Sequence, residues 1–278
     1  MKVFQTKKSL QAYLNESRAL NKKIGLVPTM GALHLGHTSL IEQAKHVNDI
    51  VVCSIFVNPT QFNDPKDLEK YPRTLEADIA LLEDVDCDVL FNPSVEEIYD
   101  NNEKWYLDIG DLEFILEGKF RPGHYQGVMQ VVYKLFDIVK PANAYFGQKD
   151  YQQFLVISKM VDLTRMEIKL TICPIVRESD GLAMSSRNRH LTAYDHELAI
   201  VLSRTLNWVK ENFYKKSIDA LLEEAKLLIS SNPNIVFEYF EVVDGLTLKP
   251  ANHQTEKVVA LVAAKVGNTR LIDNILIK

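Results

Sequence analysis

Short apolar runs alternate with amphipathic stretches through the first two thirds of the chain. Residues 24–27, 50–57 and 87–91 are predominantly apolar, the second run being rich in β-branched side chains, and residues 144–146 and 168–173 continue the series. Apolar runs of this length, alternating with helical patterns, predict βαβ units and a parallel sheet covered on both faces. In such sheets, ligands bind beyond the carboxyl ends of the strands.

Helical spacing fills the intervals between these runs, and the pattern changes near Asn188. Helical spacing after the first apolar run is seen at Leu40, Ile41, Ala44 and Val47, and Thr74 is a suitable N-cap for the next predicted helix. Beyond Asn188, two long amphipathic patterns precede three alternating runs, which predicts two helices and a small antiparallel sheet. The predicted helices span residues 74–82, 128–139, 151–163, 192–213 and 217–230, and the alternating runs span residues 236–243, 258–266 and 269–277.

These patterns predict an α/β fold class: a Rossmann-like parallel sheet with helices on both faces, plus a smaller C-terminal α+β domain. We place the boundary so that residues 1–175 form the first domain and residues 176–278 the second. A chain of 278 residues, 46% hydrophobic and 25% charged, is long and apolar enough for both.

Charge and cysteine usage narrow the function classes. The net charge of −5 offers no global attraction to nucleic acid, so any anion site must be local. The three cysteines, Cys53, Cys87 and Cys173, lie in or beside apolar runs and are expected to be buried, reduced thiols of a cytoplasmic protein. No apolar run approaches the roughly 20 residues of a membrane span, and no signal peptide is expected, so neither a membrane nor a nucleic acid is predicted as a partner.

The most informative polar motif follows the first predicted buried strand. His34, Leu35, Gly36 and His37 form a His-x-Gly-His turn between a strand and a helix. The start of a helix offers unpaired N–H groups and a partial positive charge, and glycine allows close backbone approach. The two imidazoles can donate hydrogen bonds to phosphate oxygens. The turn therefore predicts a nucleoside triphosphate site.

Three further polar clusters follow other strands. Gln61, in the segment 58–62, suits a hydroxyl or a carboxylate, although a polar turn after a strand would explain this segment alone. The segment 146–153 offers Lys149 for phosphate charge, whereas Asp150 is equally suited to capping a helix. The segment 181–189 carries two hydroxyls and Arg187, which could form a mobile anion clamp or a solvated linker.

Together, the clusters resemble a known family. The His-x-Gly-His turn and the Met-Ser-Ser-Arg loop are similar to the paired signatures of class I aminoacyl-tRNA synthetases and their nucleotidyltransferase relatives. A narrower match over essentially the whole chain resembles the pantoate–β-alanine ligase family. Its segments stand in family order: VPTMG at 27–31, SIFVNPTQF at 54–62, YPRT at 71–74, RPGHYQGV at 121–128, FGQKDYQQ at 146–153, LAMSSRN at 182–188 and LIDN at 271–274.

The resemblance implies a two-step, ATP-dependent ligase. The carboxylate of (R)-pantoate would attack the α-phosphorus of ATP, giving pantoyl adenylate and pyrophosphate, and the amine of β-alanine would then attack the acyl carbon and release AMP. Because no protein nucleophile is needed, catalysis would rest on positioning and charge stabilisation. ATP would carry Mg²⁺ on its phosphates. The resemblance also implies a homodimer.

The resemblance also implies roles for individual residues. Residues 1–175 would bind ATP and pantoate, and residues 176–278 would act as a lid. His37 would be the proton donor, with His34 and Lys149 as further catalytic residues, and Gln61 and Gln153 would hold pantoate, Gln61 also reaching β-alanine. The expected ATP-binding residues are Met30, Gly31, Ala32, Leu33, His34, Leu35, Gly36, His37, Gly147, Gln148, Lys149, Asp150, Val176, Met184, Ser185, Ser186 and Arg187.

Some assignments stay open at this stage. Glu76 and Asp78 are where protein ligands of Mg²⁺ could be sought, but we interpret both as a solvated helix face, and no metal ligand is assigned. His124 is interpreted as structural, although it lies in a segment that the family shares. The alternative function is a nucleotidyltransferase of the same superfamily that acts on a phosphorylated alcohol. A nucleotide-binding or tRNA-binding module without catalysis is a third hypothesis.

Overall fold

The computed structural model describes residues 1–100 and 103–278. The chain divides into two compact units. The first unit contains Met1–Gly147 and Gln152–Pro174, and the second contains Gln148–Tyr151 and Ile175–Lys278. The short segment Gln148–Tyr151 therefore belongs to the unit formed mainly by the C-terminal part of the chain, a grouping that the sequence pattern does not indicate.

The first unit is built on a parallel sheet. Its six strands lie in the order β1-β4-β3-β2-β5-β6, and every neighbouring pair is parallel. The predicted α/β fold class is thereby confirmed. The strands are β1 (Lys2–Phe4), β2 (Ile24–Thr29), β3 (Ile50–Ile55), β4 (Val89–Phe91), β5 (Asn143–Gly147) and β6 (Lys169–Cys173).

The sheet is covered on both faces, which explains why its inner strands β2, β3 and β4 are predominantly apolar. Leu26 and Val52 pack into one hydrophobic cluster, and their chain neighbours Val27 and Val51 pack into another. Successive side chains of a strand point to opposite faces, so the two clusters mark the two faces of the sheet. The covering helices are α1 (Lys7–Ala19), α2 (Leu35–Lys45), α3 (Pro65–Lys70), α4 (Leu75–Asp84), α5 (Val95–Ile98), α6 (Glu117–Phe120), α7 (His124–Val139) and α8 (Tyr151–Thr164).

The structure adds elements that the apolar pattern did not reveal. β1 has three residues and lies at the sheet edge, paired only with β4, so it carries no long apolar run. α1 buries only Leu10, Leu14 and Ser17, a narrow stripe on a polar helix. α7 begins at His124 rather than at Val128, because Gly123, with φ of 77°, starts the helix.

The second unit contains the predicted antiparallel sheet. β7 (Ile235–Asp244), β8 (Val258–Val266) and β9 (Thr269–Leu276) pair in that order, and all neighbouring pairs are antiparallel. α9 (Ala193–Asn212) and α10 (Ile218–Ser230) share a hydrophobic core with this sheet. Among the described residues, no helix combines the length and the apolar character needed to cross a membrane.

Candidate active site

The His-x-Gly-His turn joins the end of β2 to the start of α2. After β2 ends, the chain turns through Gly31 (φ 79°) and Ala32 (φ 48°), both in the left-handed region. Glycine adopts this region without strain, whereas Ala32 needs support from its surroundings. α2 begins at Leu35 with His34 as its N-cap, so the motif itself contains the helix start.

Reciprocal hydrogen bonds orient the two imidazoles. Nδ1 of His34 accepts a hydrogen bond from the N–H of Gly36 (3.1 Å), and Nδ1 of His37 accepts one from the N–H of His34 (3.3 Å). The two histidines thus form a capping box. Because each Nδ1 acts as an acceptor, the proton of a neutral ring lies on Nε2. With ring centroids 4.1 Å apart, both Nε2–H donors stand at the positive end of α2.

A buried carboxylate supports the strained turn. Asp78, which is 1% exposed, accepts hydrogen bonds from the N–H groups of Ala32 (2.9 Å) and Leu33 (2.8 Å) and from the hydroxyl of Thr74 (3.1 Å). The interpretation of Asp78 as part of a solvated helix face is therefore wrong, since the first turn of α4 packs against the turn after β2. Glu76 is exposed, in agreement with that interpretation.

Gln61 is oriented by a buried asparagine. After β3, the segment Pro59–Gln61 forms a 3₁₀ helix, and Nδ2 of Asn58 donates to Oε1 of Gln61 (3.0 Å). Nε2 of Gln61 lies 3.2 Å from the sulfur of Met30, a weak acceptor. Tyr99 donates from its hydroxyl to Oδ1 of Asn58 (2.7 Å), and burial raises the pKa of Tyr99 to about 12. Asn58 therefore occupies Oε1 of Gln61, and Nε2 of Gln61 faces the sulfur of Met30.

Residues at the start of α7 also contact the segment Pro59–Gln61. Nε2 of His124 lies 3.0 Å from an Arg121 nitrogen, which can only donate, so Nδ1 of His124 donates to the carbonyl of Gln61 (2.7 Å). Gly127 lies so close that an added Cβ would meet the backbone nitrogen of Gln61 at 2.7 Å. His124 therefore has a structural role, as interpreted from the sequence, and that role is to position Gln61. The only sequence signal for this role is that His124 lies in the family segment 121–128.

The two glutamines of α8 differ in their surroundings. Gln152 is buried and tied to backbone groups, accepting from the N–H of Glu117 (3.1 Å) and donating to the carbonyls of Leu112 and Ile115 (both 2.9 Å). Gln153 is half-buried. Gln152 is therefore structural, and Gln153 remains the candidate for substrate contact.

The segment after β5 is a short 3₁₀ helix, Gln148–Asp150. Lys149 is half-buried and Asp150 is exposed. Nε2 of Gln148 donates to Oδ1 of Asn274 in β9 (3.1 Å). The second unit therefore supplies a polar partner for the segment that carries Lys149.

The segment 176–190 is ordered by its own hydrogen bonds. Met184 donates its N–H to the carbonyl of Val176 (3.0 Å), which brings these two predicted ATP-binding residues together. Ser185 caps a 3₁₀ helix, Ser186–His190, by accepting from the N–H of Arg187 (3.3 Å). Ser186 is buried and Arg187 is half-buried. The predicted loop is a folded turn.

The predicted residues thus fall into two sets. The first unit brings the imidazole turn and Gln61 together, with Met30 between them, and its α8 carries Gln153. The second unit holds Lys149 and Asp150, and it brings Val176 next to Met184. Within the turn of the first unit, Gly31, Ala32 and Leu33 are buried, Met30, His34, Gly36 and His37 are half-buried and Leu35 is exposed; Gly147 and Gln148 are half-buried.

The acidic groups of the described residues do not form a cage for Mg²⁺. Both oxygens of Asp78 already accept backbone N–H groups. Glu178, Asp180 and His196 lie close enough to share a metal ion, but His196 already contacts Asp180 at 2.7 Å, and Mg²⁺ prefers an all-oxygen octahedron. No protein ligand for Mg²⁺ is therefore assigned among the described residues.

The three cysteines are buried and unpaired, as predicted. Burial raises the pKa of Cys87 and Cys173 to about 11 and that of Cys53 well above its ordinary value. At neutral pH the thiols are protonated and do not act as nucleophiles.

Comparison with known proteins places this chain in a family. The model of the pantoate–β-alanine ligase family matches residues 2–276. The pantothenate synthetase of Bacteroides fragilis is 47% identical over 280 residues, covering 100% of this chain and 99% of that protein. The pantothenate synthetase of Phocaeicola vulgatus is 49% identical over 284 residues and covers both chains completely.

Solved structures agree with this assignment. Pantothenate synthetase from Thermus thermophilus is 39% identical, with a TM-score of 0.94 over 100% of this chain and 99% of that one. A pantoate–β-alanine ligase from Francisella tularensis, complexed with β,γ ATP and β-alanine, is 40% identical, with a TM-score of 0.84 over 100% and 98%. The chain therefore belongs to the pantoate–β-alanine ligase family, whose reaction joins pantoate to β-alanine through an amide bond.

Proposed function

We propose that this chain condenses (R)-pantoate with β-alanine by way of pantoyl adenylate, with the His34–His37 turn at the phosphates of ATP. The family match over residues 2–276 supports the overall reaction. The geometry of the turn supports the placement of ATP, because two imidazole N–H donors stand together at a helix start. The products are pantothenate, AMP and pyrophosphate.

In the first step, a carboxylate oxygen of pantoate attacks the α-phosphorus and pyrophosphate leaves. Negative charge builds on the phosphate oxygens, and preformed donors stabilise it without reorganisation. His34 and His37 supply these donors from Nε2, since their Nδ1 atoms accept hydrogen bonds within the turn. His37 is the proton donor, and Lys149 adds positive charge.

Pantoate is held by uncharged side chains. Asn58 occupies Oε1 of Gln61, so we assign the Gln61 amide nitrogen, which lies beside the sulfur of Met30, to pantoate. An amide N–H suits a carboxylate or hydroxyl oxygen, and Gln153 is the second such group. Neutral donors fit a nucleophilic carboxylate, because a nearby cation would lower its reactivity.

In the second step, the amine of β-alanine attacks the acyl carbon of the adenylate. The carbon–nitrogen bond forms, the bond from the acyl carbon to the AMP oxygen breaks, and the amine loses a proton. We assign Gln61 to β-alanine as well as to pantoate. The protonated thiols take no part, in agreement with direct transfer between the substrates.

The remaining parts of the proposal concern ATP and assembly. Gly147, Gln148 and Asp150 bind nucleotide beside Lys149, Val176 contacts the adenine, and residues 184–187 close over the triphosphate as part of a lid domain. Mg²⁺ accompanies ATP. The protein is a cytoplasmic homodimer, which analytical ultracentrifugation would test directly.

The observation that carries the proposal is the histidine capping box at the start of α2 within a family match over nearly the whole chain. The test is a quenched-flow assay of pyrophosphate and AMP release. With ATP and pantoate alone, one equivalent of pyrophosphate per active site should be released, and AMP should follow only after β-alanine is added.

The same assay separates the rival function. A nucleotidyltransferase would release pyrophosphate in response to a phosphorylated alcohol and would ignore β-alanine. Pyrophosphate release without pantoate, or triggered by phosphopantetheine, would rule out the proposed reaction. ATP binding without turnover under every substrate pair would favour a binding module.

A further inference from the structure

One family segment has no role in the proposed reaction. The segment Leu-Ile-Asp-Asn at residues 271–274 lies in β9, near the C-terminus. Two of its residues, Asp273 and Asn274, are polar yet only 4% and 1% exposed. Burying polar side chains is costly unless they are hydrogen-bonded, so their partners show what these residues do.

Asn274 uses both ends of its carboxamide on the segment that carries Lys149. Its Nδ2 donates to the carbonyls of Gln148 and Lys149, both at 2.9 Å. Its Oδ1 accepts from Nε2 of Gln148 at 3.1 Å. Three hydrogen bonds thus fix two successive peptide carbonyls and one side chain of the short 3₁₀ helix.

Asp273 and Arg177 hold Asn274 from the other side. The Arg177 guanidinium donates to both carboxylate oxygens of Asp273, at 2.7 and 3.0 Å, and to the carbonyl of Asn274 at 3.3 Å. Oδ1 of Asp273 also accepts the N–H of Asn274 (2.7 Å). Burial raises the pKa of Asp273, and the Arg177 guanidinium opposes that rise.

The arrangement has a consequence for charge. Peptide carbonyl oxygens carry partial negative charge, which would repel a phosphate close to Lys149. Nδ2 of Asn274 donates to the carbonyls of Gln148 and Lys149 and so offsets part of their negative charge. These hydrogen bonds also restrict the backbone of Lys149, whose long side chain has a large rotamer entropy.

We propose that Asn274 is a positioning residue that holds Lys149 for the phosphates of ATP, and that the Arg177–Asp273 pair fixes Asn274. This inference rests on the proposed role of Lys149. It assigns a function to Asn274 of β9, which contacts the backbone carbonyls of Gln148 and Lys149 and the side chain of Gln148.

The test is a double-mutant cycle on the full-length enzyme with MgATP, pantoate and β-alanine. Asn274→Ala should raise the KM for ATP about tenfold, since three hydrogen bonds to the segment are lost. The KM for pantoate should change by less than about twofold. Asn274→Asp places carboxylate oxygens against two carbonyls and should raise the KM for ATP further.

The second arm of the cycle is made in the Lys149→Ala background. If Asn274 acts through Lys149, adding Asn274→Ala there should change the KM for ATP by less than about twofold. Asn207→Asp is the matched control, because Asn207 also donates to a backbone carbonyl in the second unit, that of Ser203, but on the exposed side of α9. It should leave the kinetics unchanged.

The outcomes separate the two claims. If Lys149→Ala impairs use of ATP but Asn274→Ala has no effect, or the same effect in both backgrounds, the positioning role is overturned and the proposed function stands. If Lys149→Ala itself has no effect, the assignment of Lys149 falls, and the inference falls with it. Thermal unfolding of each variant identifies loss of fold, and Asn274→Asp, which is isosteric, replaces Asn274→Ala in the cycle if the latter does not fold.

Discussion

Two segments of this enzyme to which we assign ATP binding are held by opposite chemistry. In the first unit, the turn before α2 has backbone N–H groups that need an acceptor, and the carboxylate of Asp78 supplies it. In the second unit, the 3₁₀ helix that carries Lys149 has carbonyls that need a donor, and the carboxamide of Asn274 supplies it. Each holding side chain is buried and distant in sequence from the segment it holds.

The difference bears on which groups of each segment we assign to ATP. Asp78 occupies the N–H groups of Ala32 and Leu33, so the imidazoles become the donors of that turn. Asn274 occupies carbonyls, so the segment with Lys149 presents its cation with less competing negative charge. The first segment is suited to directional hydrogen bonds in the transition state, and the second to charge attraction in the bound state.

The largest expected effect tests that division of roles. His37→Ala should lower kcat by roughly two orders of magnitude or more, because a transition-state donor is lost, while the KM for ATP changes much less. Single-turnover formation of the adenylate is the measurement. His46→Ala is the matched control, since His46 is exposed at the other end of α2. Adenylate formation at the wild-type rate in His37→Ala would remove this residue from the mechanism.

The next largest effect is expected at Asp78, whose carboxylate accepts hydrogen bonds from the turn before α2. Asp78→Asn places an NH₂ group against backbone N–H donors, so one of them loses its acceptor. We expect kcat/KM for ATP to fall about tenfold and the free energy of unfolding to fall by about 1–3 kcal/mol. Glu76→Gln, an exposed change on the same helix, should have neither effect.

Steady-state kinetics and urea unfolding measure the effects of Asp78→Asn. An enzyme with unchanged kcat/KM and unchanged stability would mean that Asp78 does not shape the turn, and the comparison with Asn274 would fail. A variant that lost stability alone would make Asp78 purely structural.

A smaller effect is expected at Gly127, which packs closely against the turn that carries Gln61. In Gly127→Ala, the new methyl group would collide with the backbone of the turn that carries Gln61. Overpacking of this kind costs about 1–3 kcal/mol of stability, and the displaced Gln61 should raise the KM for pantoate several-fold. The KM for ATP is the internal control and should change less. An equal rise in both values would show that the turn is not specific to pantoate.

The thiols distinguish the two units, and we expect them to have the smallest effect on catalysis. All three cysteines lie in the first unit, where burial raises the pKa of Cys87 and Cys173 to about 11. Labelling with a disulfide reagent at pH 8 should be roughly a hundredfold slower than in denaturant, because thiolate is the reactive form. Rapid labelling of the native protein would contradict this burial.

The same thiols predict how stability depends on pH. Between the ordinary thiol pKa of about 9 and the folded value of about 11, the unfolded chain loses protons that the folded chain keeps. The contribution of these groups to stability is therefore complete below pH 9 and declines as the pH rises towards 11. Urea midpoints at pH 8 and pH 10 would measure the decline, and replacing Cys87 by alanine should reduce it.

Much of the fold could be predicted because local patterns specify it. Strands buried on both faces are predominantly apolar, so the inner strands β2 and β3 are visible as continuous runs. Edge and terminal elements are less visible: β1 has only three residues, and α1 buries a narrow stripe. The helix start inside the His-x-Gly-His motif depends on a histidine capping box, which has no hydrophobic signature.

The candidate site divides in the same way. The sequence by itself determined the fold class, the family and the chemical types of the site residues, because apolar periodicity and short motifs are local properties. Only the tertiary structure decided that Asp78 is buried under the turn, that His124 supports Gln61, and that Asn274 holds the segment of Lys149. These assignments depend on hydrogen bonds between residues that are 46, 63 and 126 positions apart in the sequence. No local sequence pattern carries that information.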